Sequence, residues 1–278
     1  MINDKFDSII FACFDEDMPY GDITTESVIS DGTIAEGYFV AKDSGIICGL
    51  EIAKRVFELA GGNVELQCLV NDGEWIEKGQ KIAFVKGDAK TILKGERTAL
   101  NLMQRASGIA TSTANAVKAV EGTNAKITDT RKTMPGLRLL DKYAVRMGGG
   151  YNHRTGLSDG VLIKDNHIAA AGGILNAVNA ARKAVPHTLK IEVETENFEQ
   201  IAEALEAKAD IIMLDNMNNE QMKKAVEMID GKAITEASGN MGERDLYQVA
   251  LTGVDIISIG ALTHSVKALD ISLKFSLI

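Results

Sequence analysis

Apolar residues follow two different rhythms along this chain. In the first hundred residues they alternate over short runs. IAEGYFVAKDSGIIC (34–48) predicts strands broken by a turn at Asp43-Ser44-Gly45. A helix is predicted over roughly 49–60, ending at Gly61-Gly62. VELQCLV and KIAFVKG predict further short strands, with turn signals at Asn71-Asp72-Gly73 and Lys78-Gly79. Residues 89–119 are alanine-rich and helical in period, with an interruption expected near Ser107-Gly108.

Beyond residue 122 the rhythm is repetitive. Apolar runs stand at AKIT (125–128), GVLI (160–163), LKIEV (189–193), DIIML (210–214), KAIT (232–235) and DIISI (255–259). Helical patterns at 168–184, 197–208, 218–229 and 242–252 separate the last five. The last four runs begin 21 to 23 residues apart, the length of a strand, a helix and two short loops. Such alternation predicts parallel strands with crossover helices. Each run ends in a charged, polar or glycine residue: Asp129, Lys164, Glu194, Asp215, Glu236 and Gly260. A doubly wound sheet gathers ligands near one switch point. A β/α barrel brings every strand end to one face, so six polar ends favour a barrel. Six strands instead of eight make it open or incomplete. The predicted division is an N-terminal α/β domain with a helical linker over 1–105 and a barrel domain over 106–278.

Charge sharpens this picture. The 278 residues carry a formal net charge of −9, which argues against broad nucleic-acid binding. Yet residues 131–164 hold seven basic and two acidic residues, so that span is +5 and the remainder −14. A basic patch in an acidic protein suggests a small anionic ligand. Cys13, Cys48 and Cys68 lack metal or redox spacing and fit a reducing compartment. The acidic start MINDKFDSII does not read as a secretory leader, and no run reaches roughly 18 apolar residues. A cytoplasmic protein is expected, with no membrane partner.

Three constellations carry chemistry. Arg131, Lys132, His153, Arg154 and Lys164 frame two strand ends, a pattern suited to gripping carboxylates, and Gly148-Gly149-Gly150 permits close backbone approach. Any one of these cations alone would read as solvated surface. Glu194 and Asp215 end consecutive strands and fit an Mg²⁺ and ribose-hydroxyl site. An ion pair to the nearby cations is the alternative, and spacing alone does not separate the two. Glu192 shares a strand face with Glu194. Ser238-Gly239-Asn240 and the segment from Ser258 to Ser265 follow the last two strands and precede predicted helices, a favoured place for a phosphate.

These residues together resemble the quinolinate phosphoribosyltransferase family. The likeness runs through Gly21-Asp22-Ile23-Thr24-Thr25, Gly95 to Asn101, Thr130-Arg131-Lys132-Thr133, Pro135 to Arg138, Asn152-His153-Arg154 and Lys164 to His167. It continues through Glu192-Val193-Glu194, Leu214-Asp215-Asn216, Ser238-Gly239 and Ser258 to Ser265. Met134 stands where the family commonly has threonine, and Asn240 where glycine is frequent. The resemblance implies an N-terminal α/β sandwich and a C-terminal open parallel β/α barrel. It also implies a homodimer with a shared active site, or a hexamer. Its implied activity transfers phosphoribosyl from phosphoribosyl pyrophosphate to quinolinate with decarboxylation, giving nicotinate mononucleotide for NAD biosynthesis, with Mg²⁺.

By matching position, Thr130, Arg131, Lys132, His153, Arg154 and Lys164 would hold quinolinate, joined by Arg97 of the partner subunit. Glu194 and Asp215 would face the ribose and Mg²⁺, the latter indirectly or through the phosphoribosyl donor. Ser238, Gly239, Asn240 and Gly260, with neighbouring His264, would hold the 5′-phosphate, and Ser258 and Ile259 belong to the implied substrate-binding set. Lys132, Glu194 and Asp215 are the implied catalytic groups. The alternatives are a relative acting on nicotinate or associated with molybdenum transport, and a non-catalytic phosphate sensor.

Overall fold

The computed structural model describes residues 5–277. In chain order the first elements are α1 (Asp7–Asp17), α2 (Ile23–Val28), β1 (Ile34–Ala41), β2 (Gly45–Ile46), α3 (Leu50–Ala60), β3 (Val64–Cys68), β4 (Trp75–Ile76), β5 (Lys81–Asp88) and α4 (Ala89–Ala119). Next come β6 (Lys126–Thr128), α5 (Arg138–Met147), β7 (Val161–Ile163), α6 (Asp165–Ala171), α7 (Ile174–Ala184), β8 (Ile191–Thr195) and α8 (Phe198–Glu206). The last are β9 (Ile211–Asp215), α9 (Asn219–Ile229), β10 (Ile234–Ser238), a 3₁₀ turn (Met241–Glu243), α10 (Leu246–Ala250), β11 (Ile256–Ser258), α11 (Ala261–His264) and β12 (Ile271–Leu277). No helix among the described residues is long and apolar enough to cross a membrane.

Two compact units form. The first takes the described residues up to Ala114, then Met134–Gly149, then the chain from Ser265 onward. The second takes Asn115–Thr133 and Gly150–His264. The polypeptide therefore passes between them several times.

The first unit is built on a four-stranded antiparallel sheet ordered β12-β1-β5-β3. Period-two alternation on β1 turns Ala35, Gly37, Phe39 and Ala41 inward. Phe39, Phe57, Ile52, Ile82 and Met103 pack in its core. The last strand, β12, is absent from the sequence reading; Leu273 and Phe275 lie only partly buried against the core. Helix α4 also differs from expectation. It runs unbroken for 31 residues through Ser107-Gly108. Ser107 Oγ accepts the Cys48 backbone N–H at 2.9 Å, and an added Cβ at Gly108 would sit 2.2 Å from the Lys267 carbonyl. The glycine there serves close packing, not a break.

The second unit is a six-stranded parallel sheet ordered β6-β11-β10-β9-β8-β7. Strand order steps from 7 to 11 without reversal, which is barrel order and not doubly wound order. No ladder joins β6 to β7 among the described residues, so the barrel is open there. Tyr151 lies beside β6 at that edge, bridging Thr128 in parallel. Strand alternation then divides the side chains. Ile191, Val193, Ile212 and Leu214 face the helices, packing with Val178, Ile201 and Met222. Glu192, Glu194, Met213 and Asp215 alternate with them and take the opposite face.

Helices α8 and α9 begin where Asn197 and Asn218 accept N–H bonds from Gln200 and Gln221. The predicted helix over 168–184 is two helices, because Gly172 (φ 76°) and Gly173 (φ 127°) leave helical backbone between them. The predicted helix over 242–252 is likewise shortened to the 3₁₀ turn and α10, which Asp245 caps.

Candidate active site

One cavity of about 570 Å³ opens at the C-terminal ends of these strands. Thr130, Arg131, Lys132, His153, Arg154, Lys164, Glu194, Asp215, Ser238, Gly239, Asn240 and Ser258 all line it. The sheet brings them together because each sits at or just past the end of a neighbouring parallel strand, or on the Tyr151 segment at the barrel opening.

Four cations, Arg131, Lys132, Arg154 and Lys164, line the cavity. Burial and the adjacent Arg131 charge hold the Arg154 guanidinium below its ordinary pKa, although Glu192 opposes this. Two positive groups held close favour an anion between them. Lys164 reaches Glu194 at 2.5 Å. Lys132 donates its backbone N–H to Thr130 Oγ1, and its carbonyl accepts the Thr263 hydroxyl at 2.8 Å. The loop is therefore turned by Thr130 and tied to the segment after β11 through Thr263. Asp215 Oδ2 accepts the Asn216 amide at 2.7 Å.

The far side is shaped by backbone strain. Asn216 (φ 55°), Gly239 (φ 93°) and Asn240 (φ 50°) all take left-handed conformations. Such geometry clusters where backbone N–H groups are turned toward a ligand. A Cβ on Gly239 would fall 2.2 Å from Asn216 Oδ1, so only glycine fits. After β10 and β11 come only the short 3₁₀ turn and the four-residue α11, so oriented amides and hydroxyls make this end, not long helix dipoles.

Four sequence-predicted residues stand apart. Ile259 is buried in the hydrophobic core, and its N–H bonds the Thr128 carbonyl at 3.0 Å, so its side chain does not line the cavity. Gly260 and His264 do not line it either; they flank Lys132, whose Cδ lies 3.0 Å from where a Gly260 Cβ would stand. Arg97 is exposed on α4 within the first unit. The sequence reading missed Leu162, Met213, Asn216 and Glu236 as lining residues. Alternation could have found Glu236, since it shares its strand face with Ser238 as Glu192 does with Glu194.

Glu192 and Glu236 are 3% and 1% exposed and lie beneath the cations. Burial pushes the Glu236 carboxyl up to about 7; the Glu192 charge adds to this, while His153 and the Ser258 hydroxyl oppose it. A carboxyl raised from its ordinary 4.5 binds protons in the native state that the unfolded chain has released. Its stabilising contribution is thus complete below pH 4.5 and is lost as pH rises toward 7. The Glu236→Gln variant cannot lose this contribution. Its melting temperature relative to the parent should therefore climb between about pH 5 and pH 7 and then level. A difference independent of pH in thermal unfolding would contradict the assignment.

Fold and cavity define an open β/α-barrel enzyme that gathers small, strongly anionic substrates at its strand ends. Comparison with known proteins narrows this. Residues 22–107 match the quinolinate phosphoribosyl transferase N-terminal domain and residues 109–274 its C-terminal domain. A probable nicotinate-nucleotide pyrophosphorylase [carboxylating] from Bacillus subtilis is 48% identical over 264 residues, covering 95% of this chain and 91% of that protein. One from Methanocaldococcus jannaschii is 45% identical, covering 98% of each. The solved nicotinate-nucleotide pyrophosphorylase of Francisella tularensis superposes with a TM-score of 0.92 at 39% identity, over 99% of this chain and 97% of that one. The chain belongs to the quinolinate phosphoribosyl transferase family, in both of its domains.

Proposed function

We infer that the protein transfers the phosphoribosyl group of phosphoribosyl pyrophosphate to the ring nitrogen of quinolinate, releasing pyrophosphate and CO₂ and leaving nicotinate mononucleotide. The observation that supports this best is that Arg131, Lys132, Arg154, Lys164, Glu194 and Asp215 line one cavity. The cations suit the two carboxylates of the acid, with the arginine forks matching carboxylate geometry. Gly239, Asn240 and the Ser238 hydroxyl suit the 5′-phosphate.

As the bond from the anomeric carbon to pyrophosphate breaks, the sugar gains positive charge, which Glu194 and Asp215 favour. The pyridine nitrogen forms the new bond. The ring then carries positive charge and can accept the electron pair left when its C2–carboxylate bond breaks; that carbon takes a proton as CO₂ departs. Fixing both reactants in register supplies much of the acceleration, on the order of 7–11 kcal/mol.

The donor set fits Mg²⁺. Asp215 and Glu194 offer carboxylate oxygens, which a hard cation prefers, and Glu194 is already engaged by Lys164. They would hold the ion through its water shell and the phosphates, as Mg²⁺ commonly binds. Bound there, it would supply charge neutralisation for the departing pyrophosphate. Three cysteines with free thiols agree with work in the reducing cytoplasm.

Incubation with quinolinate, the ribosyl donor and Mg²⁺ should yield CO₂ and mononucleotide. Faster turnover of nicotinate would overturn the choice of acid, because loss of one carboxylate leaves cations of the cavity without their anionic partner. A shared site in a homodimer gives a second expectation. Mixed Arg97→Ala and Lys164→Ala chains, each inactive alone, should regain up to about a quarter of parent activity after subunit exchange in a symmetric dimer. Hybrids that exchange and stay inactive would remove Arg97 from the partner's site.

A further inference from the structure

Inward positions of a parallel barrel are ordinarily filled by branched apolar side chains. Here β8 and β10 place two carboxylic acids there instead, Glu192 and Glu236, both nearly sealed from solvent. Each keeps one oxygen, Oε1, with no hydrogen-bond partner among the described residues. Burying acids in this way costs several kcal/mol, and replacing such groups by apolar ones is often neutral or stabilising. The fold itself gives no reason to keep them.

Their other oxygens converge on one atom. His153 Nε2 lies 3.0 Å from Glu192 Oε2 and 3.7 Å from Glu236 Oε2. The second ring nitrogen, Nδ1, accepts the Arg154 backbone N–H at 2.8 Å. An acceptor at Nδ1 requires the proton on Nε2, where Glu192 receives it and the Glu236 carboxyl lies 3.7 Å away. The two contacts together hold the ring at one angle; without an acceptor at Nε2 the ring is free to turn away from the Arg154 N–H and to exchange tautomers. The backbone of the same segment is held as well. His153 N–H bonds Asp129 Oδ1 at 2.9 Å, and Asn152 bonds Asp129 Oδ2 at 2.6 Å, with Asp129 fully buried. Arg154 follows directly, and its Nη1 bonds the Gly160 carbonyl at 3.0 Å.

We propose that Glu192 and Glu236 are positioning residues for recognition of the acid substrate: by locking His153 as its Nε2–H tautomer they set the segment that presents Arg154 to the substrate carboxylate. They act through His153 and do not touch the reacting atoms. This rests on the reading of the cavity as a quinolinate site, so one readout is chosen that needs no substrate.

The test uses the full-length protein and the variants Glu192→Leu, Glu236→Leu, Glu192→Gln and Glu236→Gln. Nitrogen-15 spectra of the histidine rings report the His153 tautomer without any ligand. The parent and the Glu192→Gln variant, whose amide oxygen still accepts, should show Nε2–H. Glu192→Leu should show a mixed or inverted tautomer while remaining folded by circular dichroism. In turnover assays, Glu192→Leu and Glu236→Leu should raise KM for quinolinate about tenfold or more, the scale expected when a polar contact to substrate is misplaced. KM for phosphoribosyl pyrophosphate should stay within about twofold, and the Gln variants should recover most of the loss. An unchanged tautomer in Glu192→Leu overturns the proposal. So does an equal rise in both KM values, which general loosening of the barrel would give. Should the leucine variants fail to fold, a wild-type KM for quinolinate together with a changed tautomer in either glutamine variant overturns it equally. Absence of quinolinate turnover by the parent protein would instead sink the substrate reading and leave the tautomer result standing.

Discussion

Lys132→Ala should lower kcat about 10²- to 10³-fold, the scale of removing one preorganised charge stabiliser from a reaction centre. Three observations support so large an effect. The Lys132 side chain is exposed, yet its peptide is anchored by Thr130 and Thr263, so the ammonium is carried on a fixed loop. It lines the same cavity as Glu194, Asp215 and the remaining cations. Gly260 leaves room for its aliphatic stem, which runs within van der Waals distance of that residue. Because the side chain is exposed, unfolding temperature should change little. Lys132→Arg should not restore the parent rate, since a planar fork does not reproduce the point charge of a compact ammonium. Steady-state kinetics on folded variants decide the matter. Turnover near the parent level in Lys132→Ala would remove this residue from the catalytic groups.

Gly108→Ala should destabilise the protein by about 2–3 kcal/mol or more, the cost of forcing volume into a packed interior. At an exposed helix position the same change would stabilise by about 1 kcal/mol, because alanine is the better helix former. The sign is expected to reverse here because the new methyl would meet the Lys267 carbonyl at 2.2 Å and the Ala268 Cα at 3.1 Å. Backbone atoms cannot rotate aside as a flexible side chain can. The segment beyond them pairs β12 with β1, and Leu269 N–H is bound to the Gln104 carbonyl at 3.0 Å. Displacing 267–269 therefore strains both the helix contact and the sheet edge. Thermal unfolding of the two proteins side by side measures this; a melting temperature equal to or above the parent's would show that the segment yields freely.

The same position marks the boundary of what sequence can say. A glycine after serine in a helical run looks locally like a break, and nothing near residue 108 announces that residues 267 and 268 will lie against it. The missing strand β12 has a similar cause. Its residues ISLKFSL are only weakly alternating in burial, and their reason to be extended is the free edge of β1, more than two hundred residues earlier. The paired helices α6 and α7 were predicted as one because periodicity continues across them, whereas the break is made by the left-handed φ of Gly172 and the positive φ of Gly173.

The barrel was legible for the opposite reason. Apolar runs spaced 21 to 23 residues apart, each ending in a polar residue, record a local repeat in which every strand meets its neighbour in the same way. Convergence of Glu194 and Asp215 followed from that repeat, because parallel strands deliver their ends to one face; Arg131, Lys132 and Lys164 follow the two earlier runs, and Arg154 joins them only through the Tyr151 segment beside β6. Depth did not follow from it. Which residues stand at the mouth and which lie sealed below depends on how far each strand is buried by its partners. Glu194 and Glu192 differ by two positions on one strand, yet one meets Lys164 at the cavity and the other is buried against the His153 ring. Ile259 shows the converse, a residue inside a site motif that turns its side chain to the core. Sequence determined the order and direction of the strands, since these are set by local periodicity. Tertiary packing alone decided burial, tautomer and close approach, because each depends on atoms brought near from distant parts of the chain.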